Sequence, residues 1–372
     1  MKQKILFLGR FPEPFHGAAK MNQDYFNSKL INEQFQLRKI KINYFDSLVE
    51  IGEFSFKKFF GFFHIFFKLL HSLIFYKPNL VFFEIAPKGI AFYRDSIYAI
   101  LCKMFRRKII FCFQAKGVSD ATRRKLTLFY YKFVFKNTRA IILSNLLYYD
   151  IEKIVPKNKV YILPNNTGDE ITDNQFREII KERNNNKKIS LLYLSNMIES
   201  KGPLDVLKIC NELKKHNVNF ECNFVGKFQE IKFENKFNKM LKKLKIEKYC
   251  KYVGPKYGKE KQKILEKTNY LIFPTKYPYE TFGIVIIEAF MFGIPVLSYN
   301  TASIPEIISD KKFGYVSVKN NWMDLANELM RRVKVKENPS EIREYFKRNY
   351  TLKIAEKKLK NIFQTEISNN FQ

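Results

Sequence analysis

Short, continuously apolar segments alternate with longer helix-like segments along almost the whole chain. This alternation restricts the possible folds more than any other feature of the sequence. Apolar runs at 5–8, 80–85 and 270–273 show no regular apolar–polar alternation, so we expect both faces of these strands to be buried. Buried strands separated by helices are typical of a parallel sheet that is covered by helices on both sides. The sequence therefore predicts an α/β protein with doubly wound sheets.

The alternation is interrupted once, over about 164–188, where the chain is polar and shows no core periodicity. The chain has 372 residues, and domains usually contain roughly 100–200 residues. We therefore predict an N-terminal domain over 1–167 and a C-terminal domain over 188–340. A charged helix over 345–372 is expected to pack back on the N-terminal domain. Parallel sheets bind ligands beyond the carboxyl ends of their strands, so we expect the main cleft between the two domains.

The charge of the chain restricts its partners. The formal net charge is +30, which favours anionic partners such as phosphorylated substrates, lipid headgroups or nucleic acid. The lysines are dispersed and no Arg-rich motif is interleaved with aromatic residues, so we expect no nucleic acid partner. The five cysteines form no C-x-x-C pair, which is typical of a reducing cytoplasm rather than of a disulfide framework. Residues 5–9 are interpreted as a buried strand rather than a signal peptide.

The segment that begins at Tyr279 predicts an anion site. Gly283 opens a helix, whose free N–H groups and dipole favour an anion such as a diphosphate. Glu288 lies one turn beyond Ile284 on the same helix face and can accept two hydroxyl groups, which suits a ribose. Glu280, in the preceding loop, can bind the hydroxyls of a sugar. An unpartnered carboxylate among the apolar neighbours of Glu288 would be costly, which favours a binding role.

Glu280 and Glu288 form an E-x7-E pattern that continues as Glu-Ala-x-x-x-Gly-x-Pro-Val. This pattern resembles the signature of the retaining GT-B glycosyltransferases of family 4, the glycosyl transferases of group 1. The loop at 302–307 resembles the G-G-x-x-E-I element of the same family. The resemblance implies that Glu280 contacts the donor sugar and that Glu288 binds the nucleotide ribose. It also implies that the donor diphosphate is held by the backbone at Phe282, Gly283 and Ile284. The domain over 188–340 would then bind the nucleotide sugar, and the domain over 1–167 the acceptor.

The segment 194–203 resembles the family element G-R-x-x-x-x-K-G. Lys201 matches the lysine that neutralises the leaving diphosphate, a large catalytic contribution when the charge is correctly placed. Asn196 replaces the arginine of the family, so it can donate a hydrogen bond but supplies no charge. The resemblance therefore implies a donor-binding role for Asn196 and a catalytic role for Lys201.

Two N-terminal residues complete the predicted site. Gly17 follows the first strand and matches the first glycine of a loop that, in the family, faces the donor diphosphate. Gln114 stands where many relatives have a histidine that contacts the donor sugar. Glutamine can donate and accept hydrogen bonds there, but it cannot titrate.

The segment 54–77 contains nine phenylalanines mixed with lysines. It resembles an interfacial helix whose aromatic rings enter a membrane while its lysines bind anionic headgroups. Lys68 interrupts the apolar run, which argues against a membrane-spanning helix. The alternative is that this helix only covers the first sheet. The predicted membrane contacts are Lys57, Lys58, Phe62, Phe63 and Lys68.

Together these features predict a retaining, hexosyltransferase-type enzyme of bacterial cell-surface polysaccharide synthesis, such as that of lipopolysaccharide or capsule. Its donor would be a UDP- or GDP-linked sugar and its acceptor a glycan or a polyprenyl-linked molecule. No additional cofactor is expected, and no D-x-D motif or metal-ligand spacing predicts a metal. We expect a cytoplasmic protein, peripheral at the inner face of the cell membrane. The alternatives are a basic protein that binds nucleic acid or membranes, and an inactive transferase-like subunit.

Overall fold

The computed structural model describes residues 2–13, 17–42, 56–335 and 337–368. The chain divides into two compact units. The first comprises Met1–Asn166 and Leu352–Gln372, and the second comprises Thr167–Thr351. Each unit contains one six-stranded sheet in which all neighbouring strands are parallel. The predicted doubly wound α/β fold is therefore confirmed.

The first sheet has the strand order β2-β1-β3-β4-β5-β6. Its strands are β1 (Gln3–Gly9), β2 (Phe35–Lys41), β3 (Leu80–Glu84), β4 (Lys108–Cys112), β5 (Arg139–Ile142) and β6 (Val160–Ile162). The helices of this region are α1 (Gly17–Asn27), α2 (Lys29–Asn32), α3 (Phe56–His71), α4 (Gly89–Met104), α5 (Val118–Ala121) and α6 (Lys125–Phe135). One π-helical turn, Ser72–Tyr76, directly follows α3.

The second sheet has the strand order β12-β11-β10-β7-β8-β9. Its strands are β7 (Ile189–Leu194), β8 (Phe220–Val225), β9 (Cys250–Gly254), β10 (Tyr270–Phe273), β11 (Val296–Tyr299) and β12 (Gly314–Ser317). Its helices are α7 (Asp173–Asn185), α8 (Pro203–Lys215), α9 (Ile231–Lys243), α10 (Gly258–Lys267), α11 (Ile284–Met291), α12 (Ile304–Ile307), α13 (Trp322–Arg332) and α14 (Pro339–Asn349).

The last helix, α15 (Leu352–Ser368), belongs to the first unit. It packs with α1 against one face of the first sheet, where Leu359 and Phe363 are fully buried. The opposite face is covered by α3, α4 and α6, whose inward residues include Leu69, Tyr98 and Tyr131. The first sheet is therefore buried on both sides, as the apolar strands predict.

Each sheet has a point where the strand order reverses. In the first sheet this switch point lies between β1 and β3, and in the second it lies between β7 and β10. Connections leave the two central strands in opposite directions there, which opens a crevice at their carboxyl ends. The loops that follow β7 and β10 are the segments 195–202 and 274–283. The topology therefore brings two segments of the predicted site to one crevice.

Two segments have a different secondary structure from the one predicted from the sequence. The segment 164–188 contains a helix, α7, which is capped reciprocally by Thr172 and Gln175. Its buried stripe is narrow and includes Phe176 and Ile179. Because most other residues of α7 are polar, the sequence shows no clear helical repeat of apolar residues. The predicted single helix over 345–372 is divided, because α14 ends at Asn349 in the second unit and α15 begins at Leu352 in the first. Residues 369–372 lie outside the described residues.

Candidate functional site

The site in the second unit is built by the loops that follow β7, β10 and β11. The amide of Lys276 donates to the carbonyl of Ser200 at 2.7 Å, which joins the loops after β10 and β7. The hydroxyl of Ser303 donates to the carbonyl of Thr281 at 2.6 Å, which joins the loops after β11 and β10. These hydrogen bonds hold the three loops together at the switch point.

The loops after β7 and β10 bring Lys201 and Glu280 together. The Nζ of Lys201 lies 2.6 Å from Oε2 of Glu280, and the two side chains are only 15% and 10% exposed. The ammonium group also lies 4.6 Å from the centroid of the Tyr277 ring. Because little water screens this partly buried pair, its two charges attract each other more strongly than they would at the surface.

The position of Lys201 depends on a direct contact between two backbones. The 3₁₀ turn Glu199–Lys201 ends at Gly202, whose φ of +83° is left-handed. A Cβ atom at Gly202 would lie 2.2 Å from the carbonyl oxygen of Pro274, closer than real atoms approach. Glycine is therefore required twice here, for its backbone conformation and for its lack of a side chain.

The amino terminus of α11 faces the same loops. Gly283 precedes α11 with a φ of +82°, and no side chain in the described part of the chain caps the first turn of this helix. The side chain of Phe282 is 2% exposed, so only its backbone could contact a ligand. Ile284, the first residue of α11, is half-buried. Free N–H groups at the start of a helix can donate hydrogen bonds to a bound anion.

Glu288 has a partner that the sequence analysis did not anticipate. Its Oε1 lies 2.7 Å from Nζ of Lys261, and both side chains are mainly buried. Lys261 lies on α10, and nothing in its neighbourhood along the chain distinguishes it from other lysines. The ammonium group of Lys261 stabilises the Glu288 carboxylate among its apolar neighbours. It thereby offsets the free-energy cost of burying this charge without a partner.

Asn196 is exposed in the loop after β7. Its backbone carbonyl accepts a hydrogen bond from Tyr193 at 3.2 Å, and the next residue, Met197, donates to the carbonyl of Lys227 at 2.9 Å. The loop is thereby held by its backbone and the side chain of Asn196 remains accessible.

A second polar cluster near this crevice is centred on Asp205 and was also not predicted. Its carboxylate accepts hydrogen bonds from Lys208 at 2.8 Å, Tyr299 at 2.9 Å and Lys276 at 3.3 Å. Burial opposes the charge of Asp205, but the bonds from Lys208 and Tyr299 hold its pKa below the ordinary value. The cluster anchors the loop after β10 to the start of α8.

The predicted residues of the first unit lie near the carboxyl ends of its strands. Gly17 is the exposed first residue of α1. Gln114 follows β4, is half-buried, and its Nε2 lies 3.4 Å from the sulfur of Cys112. The loop after Gln114 is held by Asp150, whose carboxylate accepts the amides of Gly117, Val118 and Ser119 at 2.9, 3.1 and 3.0 Å.

A buried polar group that the sequence analysis missed occupies the first switch point. The Glu84 side chain is fully buried at the end of β3, and its carboxylate lies 2.6 Å from the Arg10 guanidinium. Asn22 also donates to this carboxylate. The signal in the sequence is an acidic residue that ends an otherwise apolar strand, since such a charge must find a partner.

The predicted membrane contacts of α3 differ in their exposure to solvent. Phe63 and Lys68 are exposed. Phe62 instead packs against α4, where its ring stacks on Tyr98 at a centroid distance of 5.4 Å, because the α3 face that carries it is turned toward α4. The side chains of Lys57 and Lys58 lie outside the described residues. Within 56–335, and in the remaining described ranges, no helix is long and apolar enough to cross a bilayer.

The chain is similar to known proteins in sequence and in fold. Residues 174–349, just under half of the chain, match the family described as glycosyl transferases group 1. An uncharacterized 41.2 kDa protein in the cps region of Klebsiella pneumoniae is 27% identical over 229 residues, which cover 59% of this chain and 58% of the relative. WcaL of Salmonella typhimurium, named as a colanic acid biosynthesis glycosyltransferase, is 23% identical over 145 residues, which cover 38% of this chain and 35% of the relative.

These matches span less than two thirds of either relative. The match to a solved structure is longer. Anabaena Alr3699/HepE in complex with UDP superposes with a TM-score of 0.74 and 13% identity, over 98% of this chain and 100% of the other. At this identity the likeness shows the fold alone. The chain thus resembles the glycosyl transferases group 1 family through residues 174–349, and it has the two-domain GT-B fold.

Proposed function

We propose that this chain is a retaining glycosyltransferase of hexosyltransferase type in cell-surface polysaccharide synthesis. It would move a sugar from a nucleotide-diphosphate donor to a lipid-linked or glycan acceptor at a membrane. The observation that carries this proposal is the contact between Lys201 and Glu280 at the switch point of the second sheet, beside the start of α11. The region that resembles group 1 transferases includes both residues.

Lys201, the two glutamates and the start of α11 would each bind a different part of the donor. The N–H groups at Gly283 and Ile284 would bind the diphosphate, and Lys201 would neutralise the charge that develops on it. Glu280 would accept hydroxyl groups of the sugar, and Glu288 those of the ribose. The donor would be UDP- or GDP-linked, and the UDP complex of the Anabaena protein supports UDP.

The proposed reaction exchanges two bonds at the anomeric carbon. The bond to the diphosphate oxygen breaks while the acceptor oxygen bonds to the same face, so the configuration is retained. The acceptor proton passes to the departing phosphate oxygen. Lys201 stabilises the leaving group without a metal ion, because an ammonium group aimed at the developing charge supplies the same electrostatic help.

The acceptor and the location are proposed from the relatives and the charge. The names of the Klebsiella and Salmonella relatives refer to the cps region and to colanic acid, which supports a glycan or polyprenyl-linked acceptor. The net charge of +30 favours an anionic surface. We propose a cytoplasmic protein at the inner face of the cell membrane, in contact through α3, with no nucleic acid partner.

The first test measures donor binding by thermal shift with UDP, GDP and their sugars. A ligand that binds only the folded protein raises its melting temperature by mass action. We expect one nucleotide to stabilise the wild type, Glu288→Gln to lose most of this shift, and the exposed control Glu247→Gln to keep it. If no nucleotide stabilises the wild type while RNA does, the transferase proposal is wrong.

The second test follows slow hydrolysis of the donor sugar by proton NMR, which needs no acceptor. A retaining enzyme first releases the sugar with the anomeric configuration of the donor, before the sugar equilibrates in water. We expect Lys201→Met to reduce this rate by about 10²–10³-fold, the usual cost of one electrostatic group that stabilises a transition state. First release of the opposite anomer would overturn the retaining mechanism.

A further inference from the structure

Three neighbouring helices of the first unit expose apolar stripes with the same spacing. On α3, α4 and α6, large apolar side chains recur at positions i, i+3 and i+7, which align on one helix face. All of them are between 39% and 88% exposed. The stripes consist of Phe60, Phe63 and Phe67 on α3, Ile90, Tyr93 and Ile97 on α4, and Leu126, Phe129 and Phe133 on α6.

The helices lie side by side on one face of the first sheet. The contact between α3 and α4 includes a hydrogen bond from Tyr98 to the carbonyl of Phe62 at 3.2 Å. In the contact between α4 and α6, Phe92 stacks on Tyr131 at 3.7 Å. Packed helix axes are about 8–10 Å apart, and seven residues of helix span about 10 Å. The stripes therefore form one apolar surface roughly 20 Å wide, which we call the three-helix surface.

The helices on the two faces of the first sheet differ in how many large apolar side chains they expose. Among the described residues of α1 and α15, which cover the other face of the sheet, no large apolar side chain is exposed. Single exposed apolar residues are ordinary on a protein surface, but a contiguous patch of this size marks an interaction site. The three-helix surface is therefore a feature that needs a partner.

The charge around the three-helix surface restricts what this partner can be. Residues 56–136 contain 16 Lys and Arg residues but only three acidic residues, of which Glu84 and Asp95 are buried. Lys68, Lys125 and Lys132 are exposed between or beside the apolar stripes. A second copy of the chain would bring two strongly positive surfaces together, which like-charge repulsion opposes. The partner must therefore be both apolar and anionic.

We propose that the three-helix surface docks on an anionic lipid bilayer, with the α6 stripe as a principal contact. The apolar rings would enter the boundary between headgroups and acyl chains, while the lysines and arginines bind lipid phosphates. Lysine side chains suit this geometry because their stems lie along apolar surface and their charges reach the headgroups. This inference extends the proposed membrane contact from α3 to α4 and α6. It rests on the proposed function only for its location and is independent of the donor chemistry.

The test is co-sedimentation of the full chain with phosphatidylcholine vesicles that contain or lack phosphatidylglycerol. We expect binding to the anionic vesicles only, and weaker binding at high salt, because salt screens the attraction. The combined change Leu126→Ser, Phe129→Ser and Phe133→Ser should reduce the partition coefficient at least about tenfold, since three apolar side chains no longer leave water. The matched control, Ile231→Ser, Tyr257→Ser and Val318→Ser, changes three exposed apolar residues of the second unit and should bind like the wild type.

A second variant tests the charges. Lys125→Gln with Lys132→Gln should weaken binding to anionic vesicles about fivefold or more, because each lysine near such a surface contributes to attraction. The pair Lys232→Gln and Lys239→Gln, exposed on α9 of the second unit, should not.

The outcomes separate docking from catalysis. Equal vesicle binding by the α6 serine variant and the wild type would overturn the proposal. The proposal would also be overturned if light scattering showed that the wild type is a dimer and the serine variant a monomer. A second copy of the chain would then cover the three-helix surface. The serine variant should keep its melting temperature and its nucleotide-induced shift. A wild type that binds vesicles but no nucleotide would leave the docking in place and remove the transferase.

Discussion

At the scale of single residues, the site depends on how closely two backbones approach each other. Gly202 ends the turn that carries Lys201, and the Pro274 carbonyl occupies the space of a missing Cβ atom. The same turn receives the amide of Lys276 at the carbonyl of Ser200. These backbone contacts, together with the Pro274 ring beside Gly202, position the turn that carries Lys201.

Gly202→Ala should therefore destabilise the second unit by about 2–4 kcal/mol, since it adds a steric clash to the cost of a left-handed backbone. The matched control is Gly254→Ala in the same unit. Gly254 has a similar φ of +79°, but no atom of the described residues lies within 4 Å of its added Cβ atom. The control should lose only about 1–2 kcal/mol. Urea unfolding measures both, and equal losses would show that the contact with Pro274 does not matter.

At the scale of elements, α14 is attached to the second unit by a buried arginine. The side chain of Arg343 is 2% exposed, and its guanidinium contacts Asp169 at 3.0 and 3.1 Å. It also donates to the carbonyls of Met291 and Ile171, both at 2.8 Å. One side chain therefore connects α14 to the end of α11 and to the segment before α7.

Arg343→Met should cost about 3–5 kcal/mol of unfolding free energy, because it leaves carboxylate and carbonyl groups without their donor. Arg343→Lys should recover only part of this, as an ammonium group cannot bind Asp169 in a bidentate manner. Arg348→Met, at an exposed position of the same helix, is the control and should change stability by less than about 0.5 kcal/mol. Thermal or urea unfolding gives the comparison, and a neutral Arg343→Met would contradict the anchoring role.

At the scale of the whole molecule, the end of the chain completes the first unit. The Phe363 ring on α15 packs against Phe7, Phe35 and Phe82 at centroid distances of 5.9, 5.9 and 5.7 Å. Near the end of α15, Glu366 accepts hydrogen bonds from Arg139 at 3.0 Å and Tyr161 at 2.6 Å. The first unit thus consists of two segments that are far apart in the chain.

Phe363→Ala should destabilise the first unit by about 3–5 kcal/mol through the cavity it leaves. The control Phe133→Ala removes a half-exposed ring of the same unit and should cost much less. Hydrogen exchange resolved by segment measures the effect, with increased exchange expected in β1–β3 and little change in β7–β12. Uniform destabilisation of both units would contradict their description as separate compact units.

Much of the fold could be predicted because its signals are local. Buried parallel strands are continuously apolar, so runs such as 80–85 and 270–273 mark β3 and β10 without knowledge of their neighbours. The motif that resembles group 1 transferases is also local, since Glu280, Gly283 and Glu288 lie within one loop and one helix. The helix α7 was missed because only a narrow stripe of it is buried, and a mainly polar helix has no clear period.

The remaining parts of the site depend on contacts between distant segments. The sequence by itself determined that the chain forms two doubly wound α/β sheets. It also determined the motif spacing of Glu280, Glu288 and Lys201, through which the chain resembles group 1 transferases. Only the tertiary structure decided that Lys201 lies against Glu280, that Lys261 partners Glu288, and that α14 and α15 belong to different units. The physical reason is that periodicity and capping act over a few residues. Strand order and buried charge pairs depend instead on which segments, distant in the sequence, pack against each other and bury their contact surface.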